Sequence, residues 1–158
     1  MARVLWKLAF VFALLLLLIP LTVISLHEKQ KPGILLSQER PSPGDWVKEE
    51  QIKIYSDKVV LDIDNPLWAI FTNTNSMDPF LDETSHAIEI QPLSPDDISL
   101  GDVISYKMGE NIVIHRIVEI GEDAQGAYYV VQGDNNSSRD PTMVRFNDVT
   151  GVVVAVIY

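Results

Sequence analysis

The nineteen residues 8–26 carry no charge, and that run constrains the chain more than any other feature. As a helix rising about 1.5 Å per residue it would span about 28 Å, close to the roughly 30 Å hydrocarbon core of a bilayer. Fourteen of the nineteen are Leu, Ile, Val or Phe. Each favours insertion by about 0.3–0.6 kcal/mol near the bilayer centre, which together outweighs Pro20, Thr22 and Ser25. Lys7 sits at the edge and can snorkel. Pro20 is expected to kink the helix, which membrane helices tolerate. A cleaved signal peptide is the rival reading. The run exceeds the usual apolar length for one, and its exit, Ser25-Leu26-His27-Glu28, offers no small-residue cleavage site. Residues 1–27 are therefore expected to be an uncleaved N-terminal transmembrane anchor. Arg3, Lys7 and the amino terminus face Lys29 and Lys31 across it, a slight bias that leaves the N-terminus in the cytoplasm and the remaining chain outside.

Residues 28–50 are polar and punctuated by Pro32, Gly33, Pro41, Pro43 and Gly44. They read as an irregular juxtamembrane stalk, with a short amphipathic contact at Ile34-Leu35-Leu36. From residue 51 the pattern becomes β and continues to 158. Short runs rich in Val, Ile and Tyr occupy 51–55, 58–63, 67–72, 87–91, 103–107, 112–120, 127–132 and 149–158. Turn residues separate them, at Asp64-Asn65-Pro66, 92–97, 108–111 and 121–126. No long helical periodicity follows the anchor. The expected fold is mainly β: eight short strands in an antiparallel, partly closed β domain behind one transmembrane helix. Along 112–120 one face carries Ile112, Ile114, Val118 and Ile120 with Arg116. The other carries Val113, His115 and Ile117 with Glu119, which places His115 among apolar neighbours.

Composition removes several functions. There is no cysteine, so disulfides, thiol catalysis and thiolate metal sites are excluded. His27, His86 and His115 lie too far apart in sequence for a histidine-rich metal motif, and no glycine-rich phosphate loop occurs. No metal or other cofactor is expected. After residue 27 the chain holds ten Lys/Arg against 22 Asp/Glu, a formal charge of −12. A nucleic-acid binder would need a basic face. The acidity reads as solubility.

What chemistry remains centres on Thr74-Asn75-Ser76-Met77-Asp78-Pro79, a polar segment directly after an apolar run. A serine hydroxyl becomes a nucleophile only with a base in reach and donors for the oxyanion it creates. By itself Ser76 reads as a turn or helix cap, with Asp78 and Pro79 suited to a first turn. His115 alone reads as a core histidine. Gly133-Asp134-Asn135-Asn136 and Asp140-Pro141 read as turns. Their order carries more than any one of them. Ser76-Met77-x-Pro79, then Gly101-Asp102-Val103-Ile104 ahead of a strand, then His115-Arg116, then Gly133-Asp134-Asn135-Asn136 resembles signal peptidase I. The His-Arg pair makes it similar to the endoplasmic-reticulum and archaeal branch, where histidine replaces a lysine base. The resemblance spans residues 67–158, with the anchor matching the family's membrane attachment.

The resemblance implies Ser76 as nucleophile and His115 as general base. Asp140 or Asp134 would orient His115; both positions hold carboxylates in the family. Asp140 is the first choice, with Asp134 holding the loop or sharing the role. The Ser76 backbone N–H and the Thr74 hydroxyl would form the oxyanion hole. The chemistry is consistent, since a neutral imidazole can take the serine proton at neutral pH and a carboxylate fixes its tautomer. The implied function is a membrane-anchored serine endopeptidase that removes signal peptides from exported preproteins, preferring small residues at the −1 and −3 positions. Its partners would be secretory preproteins and the lipid bilayer, with accessory membrane subunits as a further class and no nucleic acid. It would be single-pass in the cell membrane with its catalytic domain on the extracytoplasmic side, or in the endoplasmic-reticulum lumen of a eukaryote. Anchoring beside the substrate's own apolar segment raises effective concentration. Two positions depart from the family. Asn75 stands where a glycine commonly precedes the nucleophile, and Glu83-Thr84-Ser85-His86 stands where a Gly-Asp pair is usual. His86 is read as a loop histidine rather than a second imidazole at the site. The sequons at Asn135 and Asn136 are discounted, because a glycan there would block substrate. The alternatives are a non-catalytic anchored β domain serving as a binding or accessory subunit, and a related protease for other exported proteins.

Overall fold

Val, Ile and Tyr favour the pleated, half-buried surface of a sheet, and turn residues cut their runs short. A computed structural model describes residues 39–158. The anchor expected over 1–27, and the stalk up to and including Ile34-Leu35-Leu36, lie outside the described residues. Among those described, no helix is long and apolar enough to cross a membrane. The strands are β1 (Ile52–Ile54), β2 (Val59–Leu61), β3 (Leu67–Ile70), β4 (His86–Ile90), β5 (Val103–Met108), β6 (Asn111–Asp123), β7 (Gly126–Gln132), β8 (Val144–Arg145) and β9 (Val149–Ile157). β1 and β2 pair as a hairpin. The other seven form one sheet in the order β3-β4-β9-β5-β6-β7-β8, every neighbour antiparallel.

The fold is mainly antiparallel β, as expected, but differs in four respects. Among the described residues the sheet is not partly closed: there β3 pairs only with β4 and β8 only with β7, so both edges stay open. A ninth strand, β8, has two residues, too few to leave an alternation in the sequence. His86 is not in a loop. It opens β4, paired with Ile70 on one side and Ile157 on the other. The long strand β6 also runs past its expected end, because its hairpin with β7 keeps pairing to Asp123 opposite Gly126.

Three irregularities bend the sheet. The register slips between Ile88 and Glu89 on β4, between Ser105 and Tyr106 on β5, and between Ile117 and Glu119 on β6. In each case one strand carries an extra residue: Val154, Thr150 and Val118. Such bulges sharpen the local twist and re-aim side chains. The third also ends the simple alternation read along 112–120, and leaves Ile120 exposed.

Apolar side chains gather in two clusters. One, around Ile104, Ile117, Tyr129, Val131 and Val152, is sealed from solvent and takes Trp46 from the segment before β1. The other holds Met77, Leu81, Ala87, Val103 and Val153, with Phe71, Phe80 and Ile114 against it. Fully burying one such side chain contributes about 1.5–3 kcal/mol.

Trp46 is placed by a buried carboxylate. Asp102 has no exposed surface. Its Oδ1 accepts from the Gly44 N–H at 2.7 Å; its Oδ2 accepts from Trp46 Nε1 at 3.0 Å and the Ser99 N–H at 2.8 Å. Residues 44–46 are thus fastened to the turn that starts β5. Asp102→Ala would leave three donors without an acceptor. It should lower stability by about 3 kcal/mol, read as the shift in the urea unfolding midpoint; a change below about 1 kcal/mol would contradict this role for Asp102.

Candidate active site

Ser76 follows β3 in a segment pinned at both ends. Behind it Met77 and Leu81 enter the second apolar cluster, and the Phe80 and Leu81 N–H groups both donate to the Met77 carbonyl at 2.8 and 3.0 Å. Before it, Asn75 takes a left-handed conformation, φ 58°, which asparagine tolerates better than most residues. The Ser76 side chain is half-buried. Its Oγ lies 3.2 Å from Thr74 Oγ1.

The 133–136 loop packs on this segment backbone to backbone. The Asn135 N–H donates to the Ser76 carbonyl at 2.9 Å, and Asn135 Nδ2 to the Asn75 carbonyl at 2.9 Å. A Cβ at Gly133 would lie 2.5 Å from the Ser76 carbonyl oxygen, so only glycine permits this approach.

His115 and Arg116 are consecutive on β6, and successive strand residues point to opposite faces. Each finds its own aspartate. His115 Nδ1 is 2.8 Å from Asp140 Oδ2, with both side chains about nine-tenths buried. A carboxylate oxygen can only accept here, so Nδ1 carries the proton and Nε2 keeps its lone pair. The Tyr106 hydroxyl donates to the same Oδ2. Burial first, then that bond to Asp140, pushes the Tyr106 phenol well above its usual range, so it stays a neutral donor.

Arg116 instead grips Asp134 with two parallel bonds, Nε to Oδ1 at 2.9 Å and Nη2 to Oδ2 at 2.7 Å. Its Nη1 donates to the Gly101 carbonyl at 2.9 Å, and its guanidinium lies 5.2 Å from the Phe80 ring centre. Arg40 adds a contact from the far side, donating to the Asp134 carbonyl with its Nε 3.5 Å from Oδ1. The sequence leaves open which aspartate faces the imidazole; in the structure it is Asp140, and Asp134 faces Arg116.

Ser76, Thr74 and His115 line one cavity of about 610 Å³. Trp68, Ile70 and Phe71 stand on one flank and residues 112–115 on the other, with Glu89, Thr150 and Ser105 on the three strands between. Among the described residues no hydrogen bond joins Ser76 Oγ to His115. Such bonds are often loose in a free enzyme and tighten towards the transition state. His86 does not line the cavity; its ring lies 5.1 Å from that of Trp68. No cluster of metal-ligating side chains occurs among the described residues.

Sequence reasoning passed over Tyr106, Arg40 and Glu89. For Arg40 and Tyr106 no local signal exists, since each reaches its aspartate across more than thirty positions. Glu89 had one: a single acid inside the apolar run 87–91. Compared with protein-family models, with curated proteins and with solved structures, the chain matches none.

Glu89 is 5% exposed, and its Oε1 accepts from Ser105 Oγ at 2.5 Å. Burial pushes its carboxyl above the ordinary 4.5, outweighing the opposite pull of Ser105. The folded state therefore holds the proton more tightly than the unfolded chain. Stability from this group is fully present at low pH and is lost as pH rises above 4.5. Glu89→Gln stays neutral throughout. Relative to wild type it should gain in urea unfolding free energy as pH rises above 4.5; a difference flat in pH would mean that burial does not raise this carboxyl.

Proposed function

We propose that the chain is a membrane-anchored serine endopeptidase of signal-peptidase type that removes signal peptides from exported preproteins. One observation carries this reading. Ser76 and His115 line the same cavity, and His115 is held by Asp140 in the tautomer that leaves Nε2 free to accept a proton. The order of motifs in the sequence supports it independently.

In the proposed reaction Ser76 Oγ attacks the scissile carbonyl carbon and its proton passes to His115 Nε2. The imidazolium is stabilised by Asp140, to which Tyr106 also donates. The Ser76 N–H and the Thr74 hydroxyl stabilise the oxyanion. The imidazolium then protonates the leaving amine, and His115 activates a water that releases the acyl group. Arg116 and Asp134 position rather than react: they hold the loop on which Asn135 donates to the Ser76 carbonyl. The anchor over 1–27 would keep this site at the extracytoplasmic membrane surface, beside the apolar region of each preprotein.

The alternative is a non-catalytic anchored domain that only holds apolar segments in the same cavity. The missing Ser76–His115 hydrogen bond favours it. Incubating the detergent-solubilised full chain with a preprotein, and reading any cleavage site by mass spectrometry, separates the two.

Ser76→Ala and His115→Ala should each reduce cleavage about 10⁶-fold with unchanged circular dichroism. Asp140→Asn, which permits the wrong tautomer, should cost about 10⁴-fold. Because a protonated imidazole accepts nothing, wild-type kcat/KM should fall as pH is lowered. Substantial cleavage by folded Ser76→Ala protein would end the serine reading.

Thr74 offers a finer test of the oxyanion donors. Thr74→Ala should lower kcat about 10²–10³-fold, and Thr74→Ser should keep a near-normal rate. Equal rates for all three would remove Thr74 from the machinery.

A further inference from the structure

The floor of the cavity is polar where its flanks are apolar. Glu89 on β4 reaches Ser105 on β5 across β9, which lies between them. The crossing is possible because the β9 residue beneath is Gly151. A Cβ there would lie 2.5 Å from Glu89 Oε2. Two of the three register slips fall at these residues, beside Glu89 and beside Ser105. The residue left over by the second is Thr150, whose Oγ1 donates to the Ser105 carbonyl at 3.1 Å. So two bulges, a missing side chain and the Ser105 hydroxyl are arranged around one carboxyl group.

Only half of that carboxyl group is used. Oε1 accepts from Ser105. Oε2 has no hydrogen-bond partner among the described residues, yet it is not one of the sealed, unpartnered atoms, which there are Asp78 Oδ1 and His86 Nδ1. Glu89 is among the residues that line the cavity shared by Ser76 and His115.

We propose that Glu89, flanked by Ser105 and Thr150, is a specificity subsite that takes a hydroxyl side chain, serine or threonine, from the peptide that Ser76 attacks. The proposal rests on the peptidase reading above. A hydroxyl both donates and accepts, so it pairs with Oε2 whether the carboxyl is ionised or protonated. A lysine or arginine would require the ionised form, which burial of Glu89 disfavours. A purely apolar side chain would cover Oε2 and leave it unpaired.

Threonine and valine are nearly the same shape and differ by a hydroxyl for a methyl. The test uses the full chain in detergent and preprotein peptides carrying Ala, Ser, Thr, Val or Lys at each of the four positions before the scissile bond. At one of these, kcat/KM for Thr should exceed that for Val about tenfold or more. In Glu89→Met that ratio should fall to about one or below. Glu89→Gln, which keeps the shape if the methionine variant does not fold, should shift it at least about threefold. A wild-type Thr/Val ratio within about twofold at all four positions, a ratio untouched by either substitution, or a preference for Lys would each overturn the subsite. Cleavage of the alanine peptides with a flat ratio rejects the subsite alone. No cleavage of any peptide by wild type rejects the peptidase reading and the subsite with it.

Discussion

The bidentate pair between Arg116 and Asp134 joins the parts of the molecule that matter for the site. Arg116 belongs to the sheet; Asp134 belongs to the loop that lies on Ser76. Both side chains are about nine-tenths buried, so neither charge could remain there alone. Two charges taken from water need good geometry and further hydrogen bonds. They get them from the Gly101 carbonyl on one side and Arg40 on the other. Gly101 is next to Asp102, which fastens residues 44–46. A line of contacts therefore runs from the segment before β1, through the start of β5, to the carbonyl of Ser76.

A consequence is that two aspartates six positions apart do different work. β6 presents His115 to one face and Arg116 to the other, and the chain after β7 wraps so that each meets a carboxylate. One pair joins a carboxylate to a guanidinium, which does not lose its proton. The other joins a carboxylate to an imidazole, which can change charge. Fixing the loop is assigned to the permanent charge, leaving the titratable group free for proton transfer in the proposed reaction. Tyr106 supports that division: as a neutral donor to Asp140 it adds a hydrogen bond without adding a charge.

Much of this is legible in the sequence. Period-two patterning and turn residues identify the longer strands, because half-buried strands leave alternation in the sequence. Ser76, Thr74, His115, Asp134 and Asp140 stand out by residue type and order, and the structure gathers them around one cavity and its supporting loop. What fails to show is long-range. An alternating pattern says which face a residue takes but not which strand lies beside it, so neither the open edges nor β8 can be read. Bulges escape for a related reason. An extra residue such as Thr150 disturbs register only relative to a partner strand, and the partner is unknown from sequence. Glu89 shows the same limit: its acid type is visible, but not Gly151 beneath it or Ser105 beyond.

The place of β9 bears on how the molecule is assembled. The last strand in the chain is not an edge but the third of seven, with β4 on one side and β5 on the other. During synthesis, β4 and β5 are made with their facing edges unoccupied and must wait for residues 149–157 before they are joined. Such distant pairings are slow to form, because the intervening chain must be ordered first. Until then the floor beneath Ser76 does not exist, and neither does the walled space it faces. A partly made chain would thus carry Ser76 and His115 long before the cavity that both line had formed.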